Sequence, residues 1–268
     1  MSEYLSSLLN PYFLTDTAGV LVSFAVLFFI SKKSMEPRRQ LYFSIICALI
    51  GLFLGAHIMY LIIHLPGFIR ELAAEPASSA GEFFIRLFSA ASGLTYFGGL
   101  FGAIAATALV CRIFRMYRRP YMNILAVLFP IYQMFGRIGC SLAGCCYGIE
   151  YSGPLAIYYD ASYIVPGASD NIADLSRFPV QPLEAFFGLV LFFVMLYLYL
   201  KNREALPLMF IYLPAYSVIR FLDEFLRADE IRGIWGPLSA SQWIALASIA
   251  VSVIFWTYFK RKKEASRI

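Results

Sequence analysis

Apolar residues fall into seven long runs, at roughly 15–31, 41–64, 93–111, 121–146, 181–200, 206–226 and 239–259, separated by more polar linkers. Each run is close to the ~20 residues needed to cross the hydrocarbon core of a bilayer. The pattern predicts an all-α integral membrane protein, a bundle of seven transmembrane helices. With no repeat at a solenoid period and no low-complexity tract, residues 1–268 read as one polytopic membrane domain.

The linkers alternate in charge. Lys32, Lys33, Arg38 and Arg39 follow the first run, Arg112, Arg115, Arg118 and Arg119 the third, Lys201 and Arg203 the fifth, and Lys260, Arg261, Lys262, Lys263 and Arg267 the seventh. Most of the 22 Lys and Arg are therefore on one side, which the positive-inside rule makes cytoplasmic. The opposite linkers carry Glu71, Glu75, Glu82, Glu150, Asp160, Asp170, Asp174 and Asp229 with few cations. An odd number of crossings then puts the N-terminus outside and the basic C-terminus in the cytoplasm. The 147–180 linker, rich in Gly, Ser, Pro and Tyr, predicts a small cap on the outer face. Phe68, Ile69, Leu72, Phe83 and Phe84 among charges make the 65–92 linker equally readable as an interfacial amphipathic arm or a solvated loop.

Composition agrees: 60% of residues are hydrophobic and 15% charged, where a soluble domain is nearer half and a quarter. A net charge of +5 would suggest nucleic acid in a soluble protein. Here the cations adjoin apolar runs, so orientation and anionic headgroups explain them, and no nucleic-acid partner is expected. The opening Met1-Ser2-Glu3-Tyr4 lacks the cationic region of a cleavable signal peptide.

Ionisable groups inside spans are expensive, at least ~2.5–3.5 kcal/mol for a central arginine, and call for a functional explanation. Arg137 interrupts the fourth run and Arg220 the sixth. On the sixth, Tyr216, Arg220, Glu224 and Arg227 stand at i, i+4, i+8 and i+11, one polar stripe if the helix is continuous. Two interior guanidinium groups suit an anionic ligand, since the planar fork matches phosphate oxygens. In a membrane the obvious phosphate is a phospholipid headgroup. Alternatively the arginines only pair with carboxylates: Arg220 with Glu224 or Glu184, Arg227 with Asp223. Glu184, near the start of the fifth run, reads either as a partner of Arg137 or Arg220 or as an interfacial carboxylate. Gly98, Gly99 and Gly102 let a neighbouring helix approach closely, the favoured reading, or let backbone N–H groups reach a ligand.

Cys140, Cys145 and Cys146 cluster in sequence. Zinc is a weak reading, because no paired C-x-x-C is present and His57 and His64 are on another span; no metal or cofactor is expected. Small apolar packing competes with a reactive role, in which Arg137 favours the thiolate of Cys140 or Cys145.

At these residues the chain resembles the bacterial prolipoprotein diacylglyceryl transferase family. Gly136-Arg137-Ile138-Gly139, then Gly144 and Tyr147-Gly148, looks like the family signature with its essential arginine. Phe97-Gly98-Gly99-Leu100-Phe101-Gly102 resembles the His-Gly-Gly-Leu-x-Gly motif, and Pro179-Val180-Gln181-Pro182-Leu183-Glu184 is similar to Pro-Ser-Gln-Leu-Tyr-Glu. Arg220-Phe221 with Glu224, Phe225 and Arg227 looks like Arg-Phe-x-x-Glu-Phe-x-Arg, with Ser239 and Gln242 where a Ser-x-Gly-Gln stands. The resemblance implies a seven-helix protein of the bacterial cytoplasmic membrane, active toward the outer face. It implies transfer of diacylglycerol from phosphatidylglycerol to the lipobox cysteine of a preprolipoprotein, releasing glycerol phosphate. Arg137 and Arg220 would bind the phosphate, with Gln181, Glu184 and Glu224 orienting the arginines or the glycerol. Tyr216, Arg227, Tyr147, Gly148, Gly98 and Gly99 complete the expected binding set, and a monomer is expected.

The chain departs from the family at Phe97, where the histidine proposed to activate the acceptor thiol stands. It departs again at Cys140, Ala143 and Cys145, which replace Asn, Asn and Glu. Three explanations follow: another base such as Glu184 or Tyr96, a paralogue with a different acceptor, or a covalent lipid intermediate on Cys140 or Cys145. A non-catalytic lipid-binding or lipid-moving protein and a thiol oxidoreductase are the rivals from other classes.

Overall fold

A computed structural model describes residues 11–34, 36–160, 172–201, 206–229 and 233–265. Arg203, Arg267, Asp170 and the opening Met1–Tyr4 lie outside the described residues, as do the side chains of Lys260, Arg261, Lys262 and Lys263. Eight helices are described: α1 (Pro11–Ser31), α2 (Arg38–Ala74), α3 (Ala80–Ala90), α4 (Tyr96–Ile113), α5 (Arg118–Leu142), α6 (Val180–Lys201), α7 (Met209–Asp223) and α8 (Ala240–Ala265). Strands β1 (Ile157–Tyr159) and β2 (Leu175–Arg177) pair antiparallel, as do β3 (Ile234–Trp235) and β4 (Leu238–Ser239).

Among the described residues six helices are long and apolar enough to span: α1, α2, α4, α5, α6 and Ala240–Thr257 of α8. Residues such as Leu21, Phe29, Phe53, Ile58, Phe193 and Ile254 are more than half exposed on these helices, a surface suited to lipid tails. The sixth run forms the 15-residue α7, shorter than a full crossing, followed by a 3₁₀ turn at Glu224–Leu226. The i+11 position of the expected stripe is therefore not helical: Arg227 is extended, with φ −91° and ψ 148°.

The second run ends later than its apolar pattern suggests. α2 continues through Pro66 for 37 residues, and only then does a break precede α3. Proline removes one backbone donor, but Leu65, Phe68, Ile69 and Leu72 keep an apolar face at helical spacing and Phe68 is buried. The 65–92 segment is thus largely helical. α3 starts at Ser79, whose hydroxyl accepts from the Glu82 N–H at 3.2 Å, an N-cap. Phe84, Ile85 and Phe88 of α3 are exposed.

The contacts group the chain into two compact units. One comprises α2, α3, α4, the first turns of α5 and the β3–β4 hairpin. Its seam is made of glycine: a Cβ on Gly55 would meet the Gly98 carbonyl, and one on Gly102 would meet the Gly51 carbonyl. Two small-x-x-x-small pairs bring α2 and α4 into backbone contact. The Thr95 N–H and hydroxyl both donate to the Ala56 carbonyl, at 3.3 and 3.2 Å, at the mouth of that seam. In the hairpin, Gly236 at φ 65° supplies the positive φ that a two-residue turn needs.

The other unit comprises α1, the remainder of α5, the segment between α5 and α6, α6, α7 and α8 from Ser241. Gly139 lies against Thr15 and Tyr12 of α1, and Gly188 of α6 against the Pro130 carbonyl of α5. The 147–180 segment is a folded cap where described. Tyr147, Tyr159 and Ile172 form a small core, Arg177 lies over the Tyr147 ring at 4.9 Å, and Gly148 pairs with Arg227 in an isolated bridge.

Candidate active site

Glu184, one turn into α6, is 1% exposed, and such a carboxylate must be neutralised and hydrogen-bonded. Its Oε1 accepts from Gln133 Nε2 at 2.9 Å and pairs with Arg137 Nε at 3.0 Å, while Oε2 takes Arg220 Nη1 at 3.4 Å. Three helices, α5, α6 and α7, meet through this one group. Gln133 was not singled out in the sequence. It precedes Arg137 by four residues and so shares its helix face, a spacing that marks it as a second polar group on an otherwise apolar run.

Arg220 is enclosed by protein. Besides Glu184 it pairs with Glu224, and its Nη2 reaches Ser241 Oγ at 3.5 Å. The two carboxylates expected as alternative partners both engage it. Arg227 chooses neither helix-stripe geometry nor Asp223. Its Nε and Nη2 donate to the two oxygens of Asp229 at 2.8 and 2.6 Å, and its Nη1 lies 3.7 Å from Glu224. The forked geometry suits a carboxylate held by an extended chain two residues on. Asp223 is also buried, and its Oδ2 has no hydrogen-bond partner among the described residues.

Arg137 differs from both. It is buried, yet only its Nε is engaged, by Glu184. Among the described residues its two terminal nitrogens have no partner. Beside it, a Cβ on Gly136 would meet nothing within 4 Å. The arrangement is a buried guanidinium anchored through Nε to Glu184, with its two terminal nitrogens unengaged among the described residues.

Tyr216 is buried one helical turn before Arg220 and stacks on Tyr212, ring centroids 6.0 Å apart. Gln181 donates to the Cys145 carbonyl at 2.9 Å and to the Tyr159 hydroxyl at 3.2 Å, tying α6 to the cap. Burial pushes the Tyr159 hydroxyl above the usual phenol range, against the opposing Gln181 hydrogen bond. Tyr147 and Gly148 belong to the cap core and to the bridge with Arg227, where a Cβ on Gly148 would strike the Phe178 carbonyl. Gly98 and Gly99 lie in the other unit, in the α2–α4 seam, as the helix-approach reading expects. Phe97 is buried in that unit too, stacked on Phe101 at 5.9 Å.

The site residues thus separate into a set brought together, Arg137, Glu184, Arg220, Glu224, Arg227 and Tyr216 with Gln133 added, and a set assigned to helix or cap packing. Cys140, Cys145 and Cys146 are free thiols beside the first set.

The family model described as prolipoprotein diacylglyceryl transferase matches residues 7–258. The chain is similar to phosphatidylglycerol–prolipoprotein diacylglyceryl transferase 2 of Clostridium perfringens (strain 13 / Type A), 27% identical over 91% of this chain and 89% of the relative. It is 26% identical to the enzyme of that name from Clostridium tetani (strain Massachusetts / E88), over 92% and 91% of the two chains. The Campylobacter jejuni subsp. doylei enzyme is 27% identical over 92% and 88%.

Proposed function

Because the chain belongs to the prolipoprotein diacylglyceryl transferase family, we propose that it moves the diacylglyceryl group of phosphatidylglycerol to the lipobox cysteine of an exported prolipoprotein, releasing glycerol phosphate. The observation that carries this reading is the unengaged fork of Arg137 within a cluster whose other arginines are taken. A guanidinium fixed through Nε has lost its rotational freedom and still offers two parallel donors to phosphate oxygens. As the acceptor sulfur attacks the glycerol carbon, the C–O bond to phosphate breaks and negative charge grows on the departing oxygen. Donors already aimed there stabilise that charge without reorganising.

Glu184 acts here as a positioning residue for Arg137. Both its oxygens are engaged, so it is poorly placed to take a proton from the acceptor thiol. Arg220, with Glu224, completes the positive lining, and Gln181 holds the cap over it. A direct transfer needs one carbon–sulfur bond to form, whereas a route through Cys140 or Cys145 would require a thioether to be made and then broken. The direct route is the simpler.

The protein works as a monomer in a bacterial cytoplasmic membrane, with the N-terminus outside, the C-terminus inside and α7 with its 3₁₀ turn as a short seventh crossing. The cap and cluster then face the exported substrate. Labelled phosphatidylglycerol and a lipobox peptide, incubated with purified protein, should give lipidated peptide and glycerol phosphate. Arg137→Ala should slow that release by about 10²–10³-fold; unchanged turnover would remove the assignment. One observation favours a second reading, the same donor with a different acceptor: Phe97 fills with buried aromatic surface the position of the family's proposed thiol-activating histidine. Glycerol phosphate release that needs an acceptor other than a lipobox thiol would select it.

A further inference from the structure

The end of α5 is built in a way that its spacing of cysteines conceals. The Gly144 N–H donates to Ser141 O at 3.4 Å and the Cys145 N–H to Cys140 O at 3.1 Å, with Gly144 at φ 67°. This is the Schellman arrangement, which brings the residue two past the helix back onto the third from its end. In most helices that contact is between two apolar side chains. Here it is between Cys140 and Cys145. Cys146 then takes φ 57°, a left-handed conformation that side chains other than glycine, asparagine and aspartate seldom adopt. The outcome is three sulfurs all within 4.8 Å of one another, Cys140 buried and Cys145 and Cys146 half-buried.

We infer that Cys140, Cys145 and Cys146 form a three-sulfur binding site for a soft, thiophilic monovalent cation, copper(I) by preference. Three sulfurs around an ion at about 2.3 Å stand about 4 Å apart, within the span the side chains already occupy. Thiolate donors select soft ions. Among the described residues no histidine or carboxylate joins the group, so the four-coordinate shell that zinc prefers is incomplete. Each thiol that becomes a ligand releases its proton, and the ion keeps its oxidation state throughout. Cys145 and Cys146 are less enclosed than Cys140.

The test is a titration of the reduced, full-length protein in detergent with copper(I) held by bicinchoninate, a coloured competitor. The protein should withdraw one ion per chain, and X-ray absorption on the product should show three sulfur neighbours. Cys146→Ser should weaken binding by roughly a hundredfold or more, while Cys47→Ser and Cys111→Ser leave it unchanged. Wild-type protein that withdraws no copper overturns the proposal without recourse to any variant. So do a two-sulfur shell, loss of binding on replacing Cys47 or Cys111, or tighter binding of zinc than of copper. Elution volume and thermal unfolding of Cys146→Ser separate loss of the site from loss of the fold.

Discussion

The Glu184 cluster and the α2–α4 seam are both interiors of membrane helices, and they are held by opposite means. The seam has almost no side chain in it: Gly51, Gly55, Gly98 and Gly102 let two backbones touch, and its cohesion is dispersion at close range. The cluster is all side chain, with a carboxylate and two guanidinium groups joining three helices. The seam is indifferent to chemistry and intolerant of volume. The cluster is intolerant of any change in charge. Rigidity in the first case comes from excluding atoms, and in the second from balancing them.

The largest test of this contrast is Glu184→Ala, which leaves Arg137 and Arg220 facing each other without their shared anion. Breaking a buried pair from one side costs about 3–5 kcal/mol, read as a fall in thermal unfolding temperature in detergent together with loss of activity. Gly102→Val inserts a branched side chain against the Gly51 backbone and should cost about 1–3 kcal/mol by overpacking, with the same readout. Gly136→Ala, made one residue from Arg137, should do the reverse. Its Cβ meets nothing, so removing backbone freedom from a helix should gain about 0.5–1 kcal/mol. A destabilised Gly136→Ala would break the claim that α5 has room beside Arg137.

The smallest effects are expected at α3, which belongs to neither kind of interior. Ser79→Ala should cost about 1 kcal/mol of local helix stability, visible as faster amide exchange in the first turn of α3. Ser78 hydrogen bonds, with Arg86, hold the Glu82 carboxyl down at about 2 from the ordinary 4.5. Its folded value is depressed, so its contribution is fully present above pH 4.5 and is lost as pH falls toward 2. Exchange in that turn should rise over this window, and Glu82→Gln should remove the dependence.

Much of this was legible in the sequence because lipid makes polar errors costly. Arg137 and Arg220 stood out in apolar runs, and Glu184 was placed within reach of them. Gly98, Gly99 and Gly102 marked a close helix approach, while their partners Gly51 and Gly55 on α2 did not stand out. What escaped detection depended on local backbone geometry. α2 runs through Pro66 because one missing donor is outweighed by a continuing apolar face. The stripe from Tyr216 stops at Glu224 because the chain tightens to 3₁₀ and turns out at Arg227. The sulfur cluster was hidden because spacing in sequence says little about distance once a helix ends in a left-handed turn, although Gly144 was the sign of that turn.

The pairing of Arg137 with Glu184 also bears on how the two helices would enter the membrane. α5 leaves the ribosome carrying a guanidinium whose counter-charge is encoded one intervening segment later, at the start of α6. Until α6 arrives, that helix is a poor tenant of the lipid phase and has reason to linger at the translocation channel, where water is still at hand. Partition of α5 and α6 as a pair, with the charge settled between them, would make the same contact that positions the arginine a checkpoint in the birth of the protein.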